Sequence, residues 1–590
     1  MAMKQIPYGL TDFERIRLSN YYYVDKTRYI AEVEKSASFF FLIRPRRFGK
    51  SLFLNVLRWY YDINRKDRFQ ELFGDLYIGS HPTEEQGKYL VLGFNFAGVN
   101  PDPDQLLRSF NSHCAARFRE FAYSYESFFS PDFPEELERR ENADDKLNYL
   151  IGEAKRFDLP IYLFIDEYDN FTNAILANMG DKHYRALTHG TGFFRYFFNK
   201  LKEGATGEGP IKRMFITGVS PVTMDDVTSG FNIGSNMSTH PSFNGIIGFS
   251  EEEVRKMLTY YKEETGFEDE VDDLLDIMKP WYDNYCFSNG CQNEPMYNSD
   301  MALYFVFHYL LVHHAPENMI DNNVRTDYNK LRHLIRVDKQ FGMNASIIQE
   351  IINNGETTAV IKTAFPAEEL TRPDNFKSLL YYFGLLTIKG MRRGDTLLGI
   401  PNLTVREQLY SYLISAYQEA DMFNLQLYEL HELVKSMAYD GDWKPVFEYF
   451  SAELKRQSAI REFIEGEAHV KGFLLAYLGM MRAYIIFPEY EAGKGYADFY
   501  MMPDLLHQPE IAYSYIVEVK YAKRDATQTE IDALNAEAAL QLKRYADDPK
   551  VHQTKGETQL LLVTLVFKGW ELAVCDACPD NRKEGPQTHP

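Results

Sequence analysis

Residues 39–54 constrain the fold of this chain more than any other stretch: Phe39-Phe40-Phe41-Leu42-Ile43, then Arg44-Pro45-Arg46-Arg47-Phe48-Gly49-Lys50-Ser51, then Leu52-Phe53-Leu54. They read as a buried strand, a tight turn and a helix beginning at Gly49-Lys50-Ser51. A helix N-terminus presents unpaired N–H groups and the positive end of a dipole, so this join suits a phosphate. The pattern departs from G-x-x-x-x-G-K-[ST] at its first position alone, where Arg44 stands for glycine. Leu52, Phe53, Val56, Leu57 and Tyr60 then recur at helical spacing, which buries one side of the helix behind the site.

Residues 89–96 form the next strand candidate, and 102–157 are charged and helical in pattern. The run 160–165 ends in Asp166-Glu167, the form of a strand whose first acid holds Mg²⁺ while the second orients an attacking water. A third apolar strand, 214–217, ends in Thr217-Gly218-Val219-Ser220 and is expected beside the first, with Thr217 and Ser220 as candidates to sense a γ-phosphate. Upstream, Asp25-Lys26-Thr27 reads as a helix start, in preference to a segment that closes over a nucleotide base.

From residue 249 the pattern turns helical, opened by a capping box at Ser250 and Glu253. The cluster Trp281-Tyr282-Asp283-Asn284-Tyr285 is read as packing. A helix over 376–383, a hairpin over 384–400 and a helix over 403–417 outline a winged helix, with Lys389, Arg392 and Arg393 on the hairpin.

The last 150 residues hold a second chemical centre. In Tyr513-Ser514-Tyr515-Ile516-Val517-Glu518-Val519-Lys520, Glu518 and Lys520 share one strand face while Val517 and Val519 take the other. A long loop over 503–509 places Asp498, on the preceding strand, beside Glu518. Two carboxylates can hold Mg²⁺ against a scissile phosphate while a lysine orients water and offsets developing charge. Helix with Glu467, strands with Asp498 and Glu518, helix with Gln541 and Tyr545, then strand 560–567 make an αβββαβ succession.

Bulk properties narrow the class. At 590 residues the chain exceeds one core, and about three or four domains are expected. A net charge of −21 argues against coating nucleic acid by bulk electrostatics, so such contacts need local patches. No apolar run approaches the roughly 18 residues of a membrane span, and the first residues lack a signal-peptide core; the expected location is the cytoplasm, without a membrane partner. Five cysteines make no disulfide framework, and Cys575-Asp576-Ala577-Cys578 lacks the second half of a zinc site.

Two resemblances follow. Residues from about 6 to 240 resemble the bacterial AAA-ATPase-like family, carried by Tyr23-Val24-Asp25-Lys26-Thr27, the phosphate-loop octet 44–51, Asp166-Glu167-Tyr168-Asp169 and Thr217-Gly218-Val219-Ser220. Arg44 is that family's own pattern. Residues from about 435 to 575 resemble the PD-(D/E)XK nuclease domain, on Glu467, Asp498, Glu518, Lys520 and Gln541, with Gly495-Tyr496-Ala497-Asp498 in place of a literal Pro-Asp.

The resemblances imply a multidomain α/β chain: an AAA-type P-loop domain over 1–248, a helical lid with a winged-helix-like region over 249–434, a restriction-endonuclease-like domain over 435–578 and a disordered tail over 579–590. ATP would bind through Arg46, Arg47, Phe48, Gly49 and Lys50. Ser51 and Asp166 would hold Mg²⁺, Glu167 would position water, and Thr217 and Ser220 would sense phosphate. Asp498 and Glu518 would bind Mg²⁺ or Mn²⁺, with Lys520, Glu467 and Gln541 completing the nuclease site. The leading reading is an ATP hydrolase joined to a nuclease acting on DNA. The alternative is a nucleotide-controlled switch that binds nucleic acid or protein without cutting, and a third is a homo-oligomeric motor.

Overall fold

The computed structural model describes residues 2–179, 181–189, 192–222, 234–324, 343–419, 421, 423–457, 464, 466–492 and 495–578. The tail expected over 579–590 lies outside the described residues. The chain divides into two compact units, Met1–Val337 with Thr358–Val405, and Asp338–Thr357 with Arg406–Pro590.

The first unit is built on β1 (Phe39–Ile43), β2 (Leu90–Asn95), β3 (Ile161–Asp166), β4 (Ile211–Gly218) and β5 (Ser235–Asn236). All pairings are parallel, in the order β2-β3-β4-β1-β5. Parallel sheets are covered on both faces, so their strands run apolar throughout; every residue of β3 is buried. β4 lies beside β1 as expected, from Phe39 opposite Met214 to Ile43 opposite Gly218, and it separates β1 from the acids that end β3.

The helix start expected at 25–27 is displaced. Asp25 Oδ1 accepts from the Thr27 amide at 2.8 Å and its hydroxyl at 2.6 Å, a local turn that competes with helix, and α1 (Tyr29–Ser36) begins just beyond it. Helix α2 (Lys50–Tyr61) follows the phosphate loop. Helix α3 (Glu251–Thr265) opens on the capping box of Ser250 and Glu253, and α4 (Ser299–Val312) is capped by Asn298. Helix α5 (Pro373–Tyr382) precedes the hairpin of β6 (Thr387–Arg392) and β7 (Asp395–Gly399). Its two-residue turn takes positive φ at Arg393 (53°) and Gly394 (96°), as the twist of a tight hairpin requires.

The second unit holds α6 (Glu467–Leu478), β8 (Tyr484–Ala492), β9 (Gly495–Pro503), β10 (Tyr513–Ala522), α7 (Gln528–Tyr545), β11 (Gln559–Lys568) and β12 (Glu571–Cys578). The five strands pair in chain order, antiparallel except β10 with β11. Leu542 and Tyr545 of α7 pack with Tyr500, Ile516 and Leu562 of the sheet. The edge strand β12 adds to the expected αβββαβ order. It contains Cys575 and Cys578, opposite Leu565 and Leu562; an odd separation on a strand sends them to opposite faces, so they do not converge on a metal. Among the described residues no helix is long and apolar enough to cross a membrane.

Candidate functional site

The phosphate loop ends where Gly49, at φ 92°, caps α2 in the left-handed region. Arg47 also has positive φ, at 63°, whereas Arg44 does not. Arg44 therefore meets no backbone demand for glycine. It is 1% exposed, and its guanidinium donates to the carbonyls of Ser238, of Ile43 at 3.2 Å and of Phe243 at 3.0 Å. Its carbon lies 4.3 Å from the Phe287 ring centre. Burial pushes the guanidinium down to about 10. Arg44 is thus a bracket that fastens the end of β1 to residues 238–243, and its side chain serves the frame of the loop.

Phe48 is likewise an anchor, its buried ring edge-on to Tyr285 at 4.8 Å and to Phe287 at 5.4 Å. The aromatic cluster read as packing thus includes the residue that holds the loop from behind. Lys50 is buried and donates to the carbonyls of Pro45 at 2.8 Å and Arg44 at 3.1 Å; burial lowers its pKa against the pull of Glu167 and Asp166. The Ser51 hydroxyl donates to Asp166 Oδ2 at 2.6 Å. Asp166 is pushed up to about 6 by burial and by Glu167 beside it, so a cation arriving here meets a carboxyl that gains from positive charge.

Thr217 and Ser220 are placed differently from the expectation. Both are buried and stand apart from the cavity lining. The Thr217 hydroxyl donates to the Leu42 carbonyl at 2.8 Å, stitching β4 to β1, and Ser220 Oγ accepts from Val222 N at 3.2 Å. Asp169 explains the arrangement: its buried carboxylate accepts from Ser220 N at 2.6 Å and Val219 N at 3.1 Å, tying the end of β4 to the acidic turn after β3.

A cavity of about 590 Å³ opens over the loop, bounded by Arg46 to Ser51 and Glu167. Part of its remaining wall comes from segments that carry no motif: Pro7, Leu10 and Thr11, then Ile246, Ile247 and Leu303. Tyr23, Val24 and Lys26 also line it, so the turn before α1 serves the cavity as well as the helix. Arg47 is paired with Asp300 at the start of α4, 3.0 Å away.

The second unit brings its acids together. Asp498 and Glu518 are 8% and 2% exposed. Asp498 Oδ2 accepts from Val519 N at 2.7 Å, and Glu518 Oε1 accepts from Lys520 Nζ at 2.8 Å. Burial, then the neighbouring Asp498, raises the carboxyls of both Glu518 and Glu467. Gln541 Oε1 is buried with no partner among the described residues. One turn later on α7, the Tyr545 hydroxyl is raised by burial and then by Glu518, and Tyr545 packs with Tyr500 and Ile516 of the sheet.

Two members of the cluster stood outside the expected set. Lys471, 4% exposed on α6, donates to Asp498 Oδ1 at 3.0 Å and to Glu489 on β8. The signal for it was available: an ammonium in the apolar run 470–478, one turn after Glu467. Among the described residues no three His, Cys, Asp or Glu side chains close around a point as metal ligands do. The oxygens of Asp498, Glu518 and Glu467 have the hard character that Mg²⁺ prefers, so the donor set suits a divalent cation, with Lys471 held on Asp498 Oδ1.

The first unit, with its sheet order and Lys50-Ser51 set against Asp166, contains a P-loop ATPase-type domain; the second carries the acid and lysine pattern of a nuclease-type sheet. Residues 7–228 match the AAA-ATPase-like family, described as predicted AAA-ATPase, and residues 465–577 match the PD-(D/E)XK nuclease superfamily. The chain carries both domains in that order. It is similar to an uncharacterised protein encoded in the vnfD 5′ region of Azotobacter chroococcum, 26% identical over 322 residues, which are 52% of this chain and 52% of that protein. The chain thus spans about half the length of the curated relative it matches. Among solved structures, a Walker-type ATPase of Pyrococcus abyssi aligns with 69% of this chain and 98% of its own, at 10% identity and a TM-score of 0.37.

Proposed function

We propose that the chain binds and hydrolyses ATP at the phosphate loop and uses that turnover to govern hydrolysis of phosphodiester bonds, in DNA, at the acidic cluster of the second unit. The observation that supports it most is the convergence of Asp498, Glu518 and Lys520 on one buried spot, with Glu467 in electrostatic reach. At the loop, Lys50 would leave the carbonyls of residues 44 and 45 for the β- and γ-phosphates, while Ser51 and Asp166 would hold Mg²⁺. Glu167 would orient the attacking water and Arg46 or Arg47 would offset γ-phosphate charge. In the nuclease site Asp498 and Glu518 would hold Mg²⁺ or Mn²⁺, Lys520 would orient water, and Glu467 and Gln541 would complete the polar shell. A divalent cation supplies charge neutralisation at both sites and, at the nuclease site, a more acidic water. Free thiols at all five cysteines suit a reducing compartment, the basis for placing the protein in the cytoplasm.

Plasmid and oligonucleotide substrates, with Mg²⁺ or Mn²⁺ and with or without ATP, test the reading alongside Glu518→Ala and Lys50→Ala. The expected result is cleavage that Glu518→Ala abolishes and that loses its ATP response in Lys50→Ala. Cleavage that survives Glu518→Ala refutes the nuclease assignment. Absence of cleavage throughout, with ATP still bound, favours the nucleotide-controlled switch instead.

A further inference from the structure

The antiparallel ladder of β8 and β9 keeps one register from Tyr484 opposite Pro503 to Ala492 opposite Gly495, yet one pair drops out of it: Glu489 and Asp498, which the flanking register would set opposite each other. There Glu489 takes φ 46°, in the left-handed region. A bulky non-glycine residue adopts that conformation at a cost, and such sites persist where the surroundings require them. What this position achieves is visible in the contacts. The Glu489 carboxylate reaches the buried Lys471 ammonium, which also holds Asp498 Oδ1 at 3.0 Å.

Lys471 is therefore shared between two acids of different standing. Asp498 is nearly enclosed, and its other oxygen is committed to Val519 N at 2.7 Å, so Oδ1 is the atom it has left for a cation. The Glu489 side chain is 36% exposed against 5% for Lys471. A buried ammonium left without an acceptor is costly. With Glu489 in place, Lys471 can surrender Asp498 and still keep a charged partner.

We propose that Lys471 is a built-in competitor of the nuclease metal: its ammonium occupies Asp498 Oδ1 in the metal-free site and retreats onto Glu489 when a divalent cation binds. This rests on the nuclease reading above. Lys471 and Glu489 are positioning residues, and their role is to set the metal affinity. No bond is made or broken beyond hydrogen bonds: the ammonium keeps its proton and exchanges one carboxylate for the cation's claim on it.

The test is Mn²⁺ binding to the full-length, nucleotide-free chain, read from the electron paramagnetic resonance signal of free Mn²⁺, with Glu518→Ala defining the signal that belongs to this site. Lys471→Met is expected to tighten binding at least about tenfold, with Lys471→Gln as the second variant should the first not fold. Glu489→Gln is expected to weaken binding several-fold in the parent chain, because the displaced ammonium then has no second acid. In the Lys471→Met background the same Glu489→Gln change should shift binding less than about twofold, since its effect passes through Lys471.

That non-additivity separates the proposal from a general field effect, in which Glu489→Gln weakens binding equally in both backgrounds. Equal weakening in both backgrounds, or unchanged or weaker binding in both Lys471 variants, overturns the proposal. Loss of Mn²⁺ binding in Glu518→Ala with no change in the Lys471 variants overturns this inference and leaves the nuclease reading standing. Binding indifferent to Glu518→Ala removes both.

Discussion

Restoring the phosphate loop to consensus should damage it. In Arg44→Gly the change removes a guanidinium that donates to three carbonyls, at Ile43, Ser238 and Phe243. Charge-assisted hydrogen bonds contribute about 1.5–3 kcal/mol each, a gross loss of about 4.5–9 kcal/mol if the three add. Against this, a buried charge no longer has to be desolvated, which returns several kcal/mol. The extra backbone freedom of glycine costs about 0.5–1 kcal/mol more. The three lost bonds outweigh that relief, and the net is a destabilisation of a few kcal/mol, localised in the first unit. Urea unfolding followed by tryptophan fluorescence reports on it, since Trp59 and Trp281 lie in that unit, and binding of a fluorescent ATP analogue gives the functional readout. Arg44→Lys should fall between, because one ammonium cannot reproduce a fork aimed at separate carbonyls. An Arg44→Gly chain with an unchanged urea midpoint, or with tighter nucleotide binding, would refute the bracket role.

Gly384 has φ 78°, and a Cβ there would stand 2.8 Å from Pro45. Gly384→Ala should therefore push on the loop from behind and weaken nucleotide affinity about tenfold, measured by the same fluorescent analogue. Asp283 is fully buried, and burial first of all pushes its carboxyl up to about 6. Because the folded state holds that proton more tightly than the unfolded chain, stability falls as pH rises from about 4 through 6, by about 2–3 kcal/mol. Asp166 and Asp169, also raised to about 6, add slopes of the same sign, so the difference between parent and Asp283→Asn isolates this residue. Urea midpoints at pH 4 to 8 should show Asp283→Asn gaining stability at the alkaline end and little at pH 4. Ser250→Ala breaks the capping box of α3 and should cost about 1 kcal/mol, read as a lower melting temperature with nucleotide affinity unchanged.

What the sequence disclosed follows from how each feature is encoded. β1, β3 and β4 are buried on both faces and announce themselves as apolar runs, and the E-x-K strand announces itself by alternation. β5 is two polar residues, Ser235 and Asn236, held by pairing with Phe40 and Phe41. β12 is an edge strand whose exposure alternates irregularly, so neither has a period to read. Part of the wall of the cavity over the loop comes from residues near 10, 246 and 303, brought together by the fold alone. Arg44 looked like a defect because its partners, Ser238 and Phe243, lie 194 and 199 residues away.

Lys471 differs in kind, since its constraint was present locally. All residues from Val470 to Leu478 are buried, and a lysine in such a helix must find acids or lose its charge. The helix starts with Glu467, and the strands that follow deliver Glu489, Asp498 and Glu518. The nuclease motif counts Asp498 and Glu518 as metal ligands and takes no account of a resident ammonium. Charge balance does take account of it: the four acids face Lys471 and Lys520. Asp498, as the acid held by a lysine and claimed by the motif for a metal, is where the two demands meet, and the proposed exchange would set affinity for the cation there.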